Sequence, residues 1–228
     1  MKVLGIDEAG RGAVIGPLVI CGLMVEEGRE KELKDLGVKD SKELSPKKRE
    51  MLAEKIEEIV EHSVVLHVPA CNIDSMRKNG MNLNQIEAMK MAEIINISCP
   101  DKAIIDTPSY NSHKFRDYLY SKLDDNIKSI KLICENYADK NYPLVSAASI
   151  IAKVERDKKI EQLKKDFKYD FGVGYTHDKR TIAFLEKLAK ENNGKMPKNI
   201  RTSWETTQEI IKKYQQKGLS GFIKKLVK

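Results

Sequence analysis

The sequence predicts an α/β domain: a sheet of five strands flanked by helices, with a small helical extension towards the C-terminal end. Three observations predict it. Five short apolar runs of strand length fall between residues 2 and 134, helical patterns lie between them, and beyond Pro143 only helical patterns remain.

The strand-like runs cover 2–7, 17–25, 63–68, 102–106 and 127–134. Ser45-Pro46 reads as an N-cap followed by proline at the first helical position, opening a charged helix that reaches about Glu61. Two further helices fit 82–97 and 111–122. Ala147, Ile150, Ile151 and Val154 then supply the i, i+3, i+4, i+7 face of a long helix from about Pro143 to Phe167. Helices over 178–192 and 203–217 follow, separated by the turn-rich stretches FGVGYTHD and NNGKMPKN. The expected organisation is a catalytic-size domain over 1–170, a helical extension over 171–215 and a flexible tail over 216–228.

With 228 residues and 41% hydrophobic composition, the chain can bury one substantial core. No stretch approaches the roughly 20 apolar residues of a membrane span, so no membrane association is expected. Cys21, Cys71, Cys99 and Cys134 are scattered singly, which fits free thiols in a reducing cytoplasm. The expectation is a cytoplasmic monomer. Charge is unevenly spread: residues 146–228 hold 20 Lys and Arg against 10 Asp and Glu, whereas residues 1–145 lean acidic by three. A basic C-terminal part beside an acid-leaning N-terminal part suggests a grip on a polyanion next to a site that uses carboxylates. Solvated lysine-rich helices would give the same balance.

The acids themselves are placed unusually. Asp7 and Glu8, in GIDEAGRG, follow a buried apolar strand; Asp106 closes KAIID ahead of Thr107-Pro108; Asp139, in ENYADKNYP, follows the fifth strand. Asp106 and Asp139 would also serve as turn formers or helix caps, but adjacent acids at 7 and 8 gain nothing from turn chemistry. Strand ends next to loops are where ligands gather in α/β sheets. Four carboxylates meeting there could not all stay ionised without a compensating cation, and Mg²⁺, held by carboxylates and phosphate oxygens, supplies one. Two such ions could activate water and stabilise the leaving oxygen of a phosphodiester without a protein nucleophile.

The segments GIDEAGRG, DSKEL at 40–44, IID at 104–106, YAD at 137–139, SAASIIAKVERD at 146–157 and GYTHD at 174–178 occur in this order. In combination they resemble ribonuclease HII of the archaeal type. The resemblance implies a ribonuclease H-like fold with a mixed central sheet. It also implies Mg²⁺- or Mn²⁺-dependent cleavage of the RNA strand of RNA–DNA hybrids, and incision at single ribonucleotides in duplex DNA, leaving 5′-phosphate and 3′-hydroxyl ends. By motif, Asp7, Glu8, Asp106 and Asp139 would be the metal-binding catalytic carboxylates. Gly10-Arg11-Gly12 would be the turn that senses the ribose 2′-hydroxyl, although without the resemblance it reads as a tight turn with an exposed arginine. Tyr175 would pack on the sugar at the junction, Lys42 and Lys153 would lie near the scissile region, and Arg201 would belong to the C-terminal substrate-binding region. The helix start at Ser146 offers N–H groups and small side chains as a phosphate seat.

The chain departs from the family pattern at Ala13, commonly proline, and at Asn136-Tyr137, commonly a His-Lys pair. In the tail, Gln216, Leu219, Phe222 and Ile223 resemble a sliding-clamp-binding peptide, three apolar groups forming a compact plug. Gly218 and Gly221 argue against a stable helix there. The alternative to an enzyme is a hybrid-binding protein without catalysis. Clustered acids facing phosphate speak against that reading.

Overall fold

The computed structural model describes residues 1–38 and 44–226, the last eleven as backbone only. The chain divides into two compact units. A sheet unit comprises Met1–Arg11, Leu18–Val68 and Met81–Lys158; a helical unit comprises Gly12–Pro17, Pro69–Gly80 and the chain from Lys159 onward. The units are discontinuous in sequence, unlike a single cut near residue 170. Two early segments join the helical unit through their own contacts, given below.

In the sheet unit, β1 (Lys2–Ala9), β2 (Leu18–Glu26), β3 (His62–Val68), β4 (Lys102–Asp106) and β5 (Lys131–Glu135) form one mixed sheet in the order β3-β2-β1-β4-β5. β1 and β3 run antiparallel to β2, while β4 is parallel to both β1 and β5. This topology sets the C-terminal ends of β1, β4 and β5 side by side. The expected strands are all present, with shifted ends. β1 continues through Asp7, Glu8 and Ala9, so the two acids lie inside the ladder opposite Cys21 and Ile20. β5 begins only at Lys131, because the polar stretch after Asp124 forms a 3-10 turn, Asp125–Ile127, tied by the Asp125–Lys128 pair.

Helices cover both faces. α1 (Glu30–Asp35) and α2 (Pro46–Ile59) follow β2, and Ser45 caps α2 by accepting from the Lys48 N–H, as its sequence predicts. α4 (Leu83–Ser98), α5 (Ser112–Tyr120), the short α6 (Ala138–Asn141) and the first part of α7 (Pro143–Phe167) complete the unit. A Cβ on Gly5 would stand 2.8 Å from Leu144 of α7, and one on Gly22 would stand 2.5 Å from Ile94 of α4. Gly22 pairs with Ile6, so α4 covers the face of Ile6 and α7 the opposite face of Gly5. The core on the α7 side joins Val3, Val19, Cys21 and Leu23 of the sheet to Leu144, Ala148 and Ile151 and to Leu52 and Ile56 of α2.

The helical unit holds α3 (Ala70–Lys78), the rest of α7, α8 (Lys179–Glu191) and α9 (Glu205–Leu226). Its core packs Phe171, Phe184, Leu185 and Ile200 with Val14 and Ile15, and Phe184 stacks on Tyr169 and Phe171. α1, α3 and α6 have no counterpart in the predicted elements. α1 and α6 are six and four residues long, too short for a periodic stripe to show. α9 runs nine residues past its expected end, through Gly218 and Gly221. Each glycine disfavours a helix by about 1 kcal/mol relative to alanine, while an already nucleated helix gains a hydrogen bond per added residue.

Candidate active site at the ends of three strands

Adjacent residues of a strand face opposite sides of the sheet, so Asp7 and Glu8 cannot share a face. Asp7 points to the α7 side, where the Ser149 hydroxyl bonds to it, and its Oδ1 also accepts the Glu8 N–H at 2.6 Å. Glu8 points to the α4 side and senses the charge of Glu87. Asp106, ending β4 next door, acts electrostatically on both, and Asp139 acts on Asp7. The four acids therefore come from β1, β4 and the first turn of α6 into one neighbourhood.

The electrostatic consequence is large. Burial first, then the charge of Asp106, push the Asp7 carboxyl up to about 8. Burial also raises Glu8 well above the usual range, aided by Glu87, Asp7 and Asp106. Glu8 Oε2 is buried without a hydrogen-bond partner. Asp106 Oδ1 accepts the Ala138 N–H at 2.7 Å, and Asp139 is 6% exposed. Among the described residues no three Asp, Glu, His or Cys side chains already stand as a closed ligand set. The carboxylates are neighbours held partly by protein N–H and O–H groups. An oxygen-only donor set with an orphaned buried oxygen fits a hard divalent cation.

The other predicted residues fall into distinct places. Gly10 adopts φ 86, open to glycine and strained for other residues. The Arg11 guanidinium is turned inward: Nε lies 3.0 Å from Glu87 and Nη2 donates to Asn84 Oδ1 at 2.6 Å. The Arg11 side chain stays 37% exposed while its guanidinium is tied to the fully buried Glu87 on α4. Glu87 is a residue that sequence reasoning missed. Its signal was an acid on the same helical stripe as Met91 and Ile94, both of which are buried.

Ser146, near the start of α7, is 2% exposed with its Oγ unpartnered. Lys153 pairs with Asp157, which also accepts from Arg49; burial lowers the Lys153 pKa. Lys42 lies outside the described residues, and the side chains of Gln216, Leu219, Phe222 and Ile223 lie outside them as well.

Gly12, Tyr175 and Arg201 belong to the helical unit. A Cβ on Gly12 would meet nothing within 4 Å. Tyr175 is half-buried, stacks on His177 with ring centroids 5.5 Å apart, and follows Gly174, whose carbonyl accepts from Val14 and Ile15. Arg201 is 0% exposed: its Nε donates to the Gly16 carbonyl, its N–H donates to the Val14 carbonyl, and its guanidinium lies over Trp204. An enclosed side chain does not meet a phosphate, so in this structure Arg201 anchors the 12–17 segment instead of presenting charge to a substrate. Asp74 does similar work for α3, accepting four hydrogen bonds from the N–H and hydroxyl groups of Thr202 and Ser203.

Comparison with known proteins converges on one family. The ribonuclease HII family model matches residues 4–207. Ribonuclease HII of Methanosarcina acetivorans is 43% identical over 96% of this chain and 99% of its own length. Among solved structures, the ribonuclease H2 of Pyrococcus horikoshii superposes with a TM-score of 0.84 at 39% identity, covering 94% of this chain and 99% of that one. The PCNA:RNase HII complex of Archaeoglobus fulgidus matches with a TM-score of 0.80 at 41% identity over 90% of this chain and 96% of that chain. The mixed sheet and its flanking helices are accordingly a ribonuclease H-like fold, and the chain belongs to the ribonuclease HII family, the type II ribonuclease H endonucleases.

Proposed function

We propose that this protein hydrolyses the RNA strand of RNA–DNA hybrids and incises at single ribonucleotides embedded in duplex DNA, using Mg²⁺ or Mn²⁺ held by Asp7, Glu8, Asp106 and Asp139. The observation that carries this reading is the meeting of these acids at adjoining strand ends, with Asp7 raised by burial and the charges of Asp106 and Asp139, and Glu8 by burial and the charges of Glu87, Asp7 and Asp106. When bound, a pair of divalent ions would supply an activated water and stabilisation of the leaving oxygen. Asp7 and Glu8 hold their oxygens from opposite faces of one strand, and Asp106 stands between them in charge. Ser149 orients Asp7 by a hydrogen bond.

Discrimination for ribose rests on the turn at 10–12. With the Arg11 side chain held by Glu87 and Asn84, the turn offers its backbone to a ligand, and the absence of side chains at Gly10 and Gly12 lets a sugar come close. Tyr175 is the partner proposed for the sugar at the RNA–DNA junction, with Ser146 and Lys153 on the phosphate side. Substrate affinity should fall steeply with salt, as for any grip on a phosphate backbone.

Cleavage-site mapping tests the reading. A duplex with one ribonucleotide should be cut at that position in Mg²⁺ or Mn²⁺, and an all-DNA duplex left intact; equal cutting of both would remove the ribose-sensing role. Asp7→Asn should keep hybrid binding and lose cutting, whereas a binding protein without catalysis would show no Mg²⁺-dependent cutting before the substitution either.

A sliding clamp is the proposed protein partner, through Gln216, Leu219, Phe222 and Ile223. The Archaeoglobus fulgidus relative, solved as a PCNA:RNase HII complex, supports this. Deleting residues 216–228 should abolish capture by the clamp while hybrid cleavage survives; continued capture would refute the peptide.

A further inference from the structure

We propose that Asn136 is a positioning residue that ties the loop behind Asp106 to the turn in front of Asp139, fixing the separation of these two carboxylates for a divalent cation. The inference rests on the reading of both acids as metal-holding groups.

β4 ends at Asp106 and β5 ends at Glu135, and past these points the ladder has no more strand to hold the chains together. Four hydrogen bonds continue the connection. The Thr107 N–H donates to the Glu135 carbonyl at 2.9 Å, extending the parallel pairing by one residue. The Asn136 side-chain amide donates to the Thr107 carbonyl at 2.7 Å and to the Ser109 carbonyl at 3.0 Å. The Ala138 N–H then donates to Asp106 Oδ1 itself. Two of the four come from one side chain.

The chemistry of the amide suits the task. Both acceptors are carbonyl oxygens, so the group facing them must be the NH₂, which offers two hydrogens on one nitrogen. Between Asn136 and Ala138, Tyr137 takes φ 62 and ψ 32, a left-handed conformation that costs a non-glycine residue and persists where its surroundings hold it. The Asn136 amide on one side and the Ala138–Asp106 bond on the other bracket that residue. The turn places Asp139 in the first turn of α6 two residues later. Two carboxylates brought together repel. The amide bridge opposes that repulsion from outside the ligand set. Asn136 is also exposed, so removing its amide lets water take over the two carbonyls and should disturb folding little.

The test is calorimetric titration of the metal-free protein with Mn²⁺ alone, beside Mn²⁺ dependence of hybrid cleavage. Asn136→Ala should weaken Mn²⁺ binding at least five-fold and raise the Mn²⁺ concentration for half-maximal cleavage by the same factor, with KM for the hybrid within two-fold of wild type. Asn136→Gln, which keeps the NH₂ on a longer arm, should recover part of the affinity. Unchanged Mn²⁺ affinity in folded Asn136→Ala overturns the proposal. So does a loss that Gln does not recover, matched by lower metal-free thermal stability, since that marks a merely structural residue. Should the alanine variant melt too low to titrate, Asn136→Leu, similar in shape without the amide, is read by the same criteria. Asp106→Asn separates the two levels. If it retains full Mn²⁺ affinity, the carboxylate reading itself fails; if it loses affinity while Asn136→Ala does not, only the bridge fails.

Discussion

Four acids, two from each unit of the chain, are used in opposite ways. In the helical unit, Asp74 accepts four hydrogen bonds, and Asp178 caps α8 while pairing with Arg180. Asp178 is held down at about 2, chiefly by the Arg180 side chain. In the sheet unit, Asp7 is pushed up to about 8 and Glu8 rises too, because burial and like charges outweigh the hydrogen bonds available. An acid that serves the fold is surrounded by donors. The acids proposed for chemistry are left short of them, and that shortfall is where a cation would gain its affinity.

The strongest test of this contrast is Asp7→Asn. Hybrid cleavage should fall by about 10³-fold or more, roughly 4 kcal/mol of transition-state stabilisation. Thermal unfolding in the absence of metal should move up or stay level, since a buried carboxyl whose ionisation is suppressed in the folded state is gone. A marked drop in stability with activity retained would put Asp7 in the same class as Asp74.

Next in size is Asp74→Ala, which strips the partners from two backbone N–H groups and two hydroxyls and should destabilise the protein by about 4 kcal/mol, at roughly 1 kcal/mol per bond. Chemical denaturation measures it. Cleavage per folded molecule should stay close to wild type; a loss of turnover as large as that of Asp7→Asn would erase the distinction.

pH offers a third test. A carboxyl whose folded pKa is about 8, against an ordinary 3.8, binds its proton more tightly in the native state. Metal-free stability is therefore highest below about pH 4 on this group's account and declines as pH rises towards 8. Melting temperature in chelator should drop by several degrees between pH 5 and pH 8, and Asp7→Asn should flatten the slope. Asp178 works the other way, and its effect is the smallest. With a lowered folded pKa, it contributes stability above about pH 4 that disappears as pH falls towards 2. The difference in melting temperature between wild type and Asp178→Asn should be modest at neutral pH and vanish in acid.

How much of this was legible in the sequence follows from the kind of signal each feature leaves. The five strands were readable because alternating or continuous runs of Val, Ile and Leu persist over strand length, and acids at 7, 106 and 139 stood out against them. That Asp7 and Glu8 lie within β1, on opposite faces, needed the register with β2. Side-chain destinations were harder. Arg11 and Arg201 carry the same charge in sequence, yet one reaches from a partly exposed position to the buried Glu87 while the other is fully enclosed and bonds to the Gly16 carbonyl. Those partners lie 76 and 185 residues away along the chain, where no local pattern reaches. Asp74 and Asn136 went unnoticed as anchors for the same reason. Both acceptors of Asn136 and two of the four donors to Asp74 are backbone groups, which every residue carries alike.

The parallel placement of β1, β4 and β5 has a consequence for when this protein becomes active during synthesis. The acids proposed for the cutting centre sit at positions 7, 8, 106 and 139, so that centre would be assembled from the earliest and the middle parts of the message. A growing chain holds only Asp7 and Glu8 until β4 is made, and lacks Asp139 until translation has passed β5. Nuclease capability should then switch on late and all at once, and amino-terminal fragments released by premature termination should be unable to damage the nucleic acids around them.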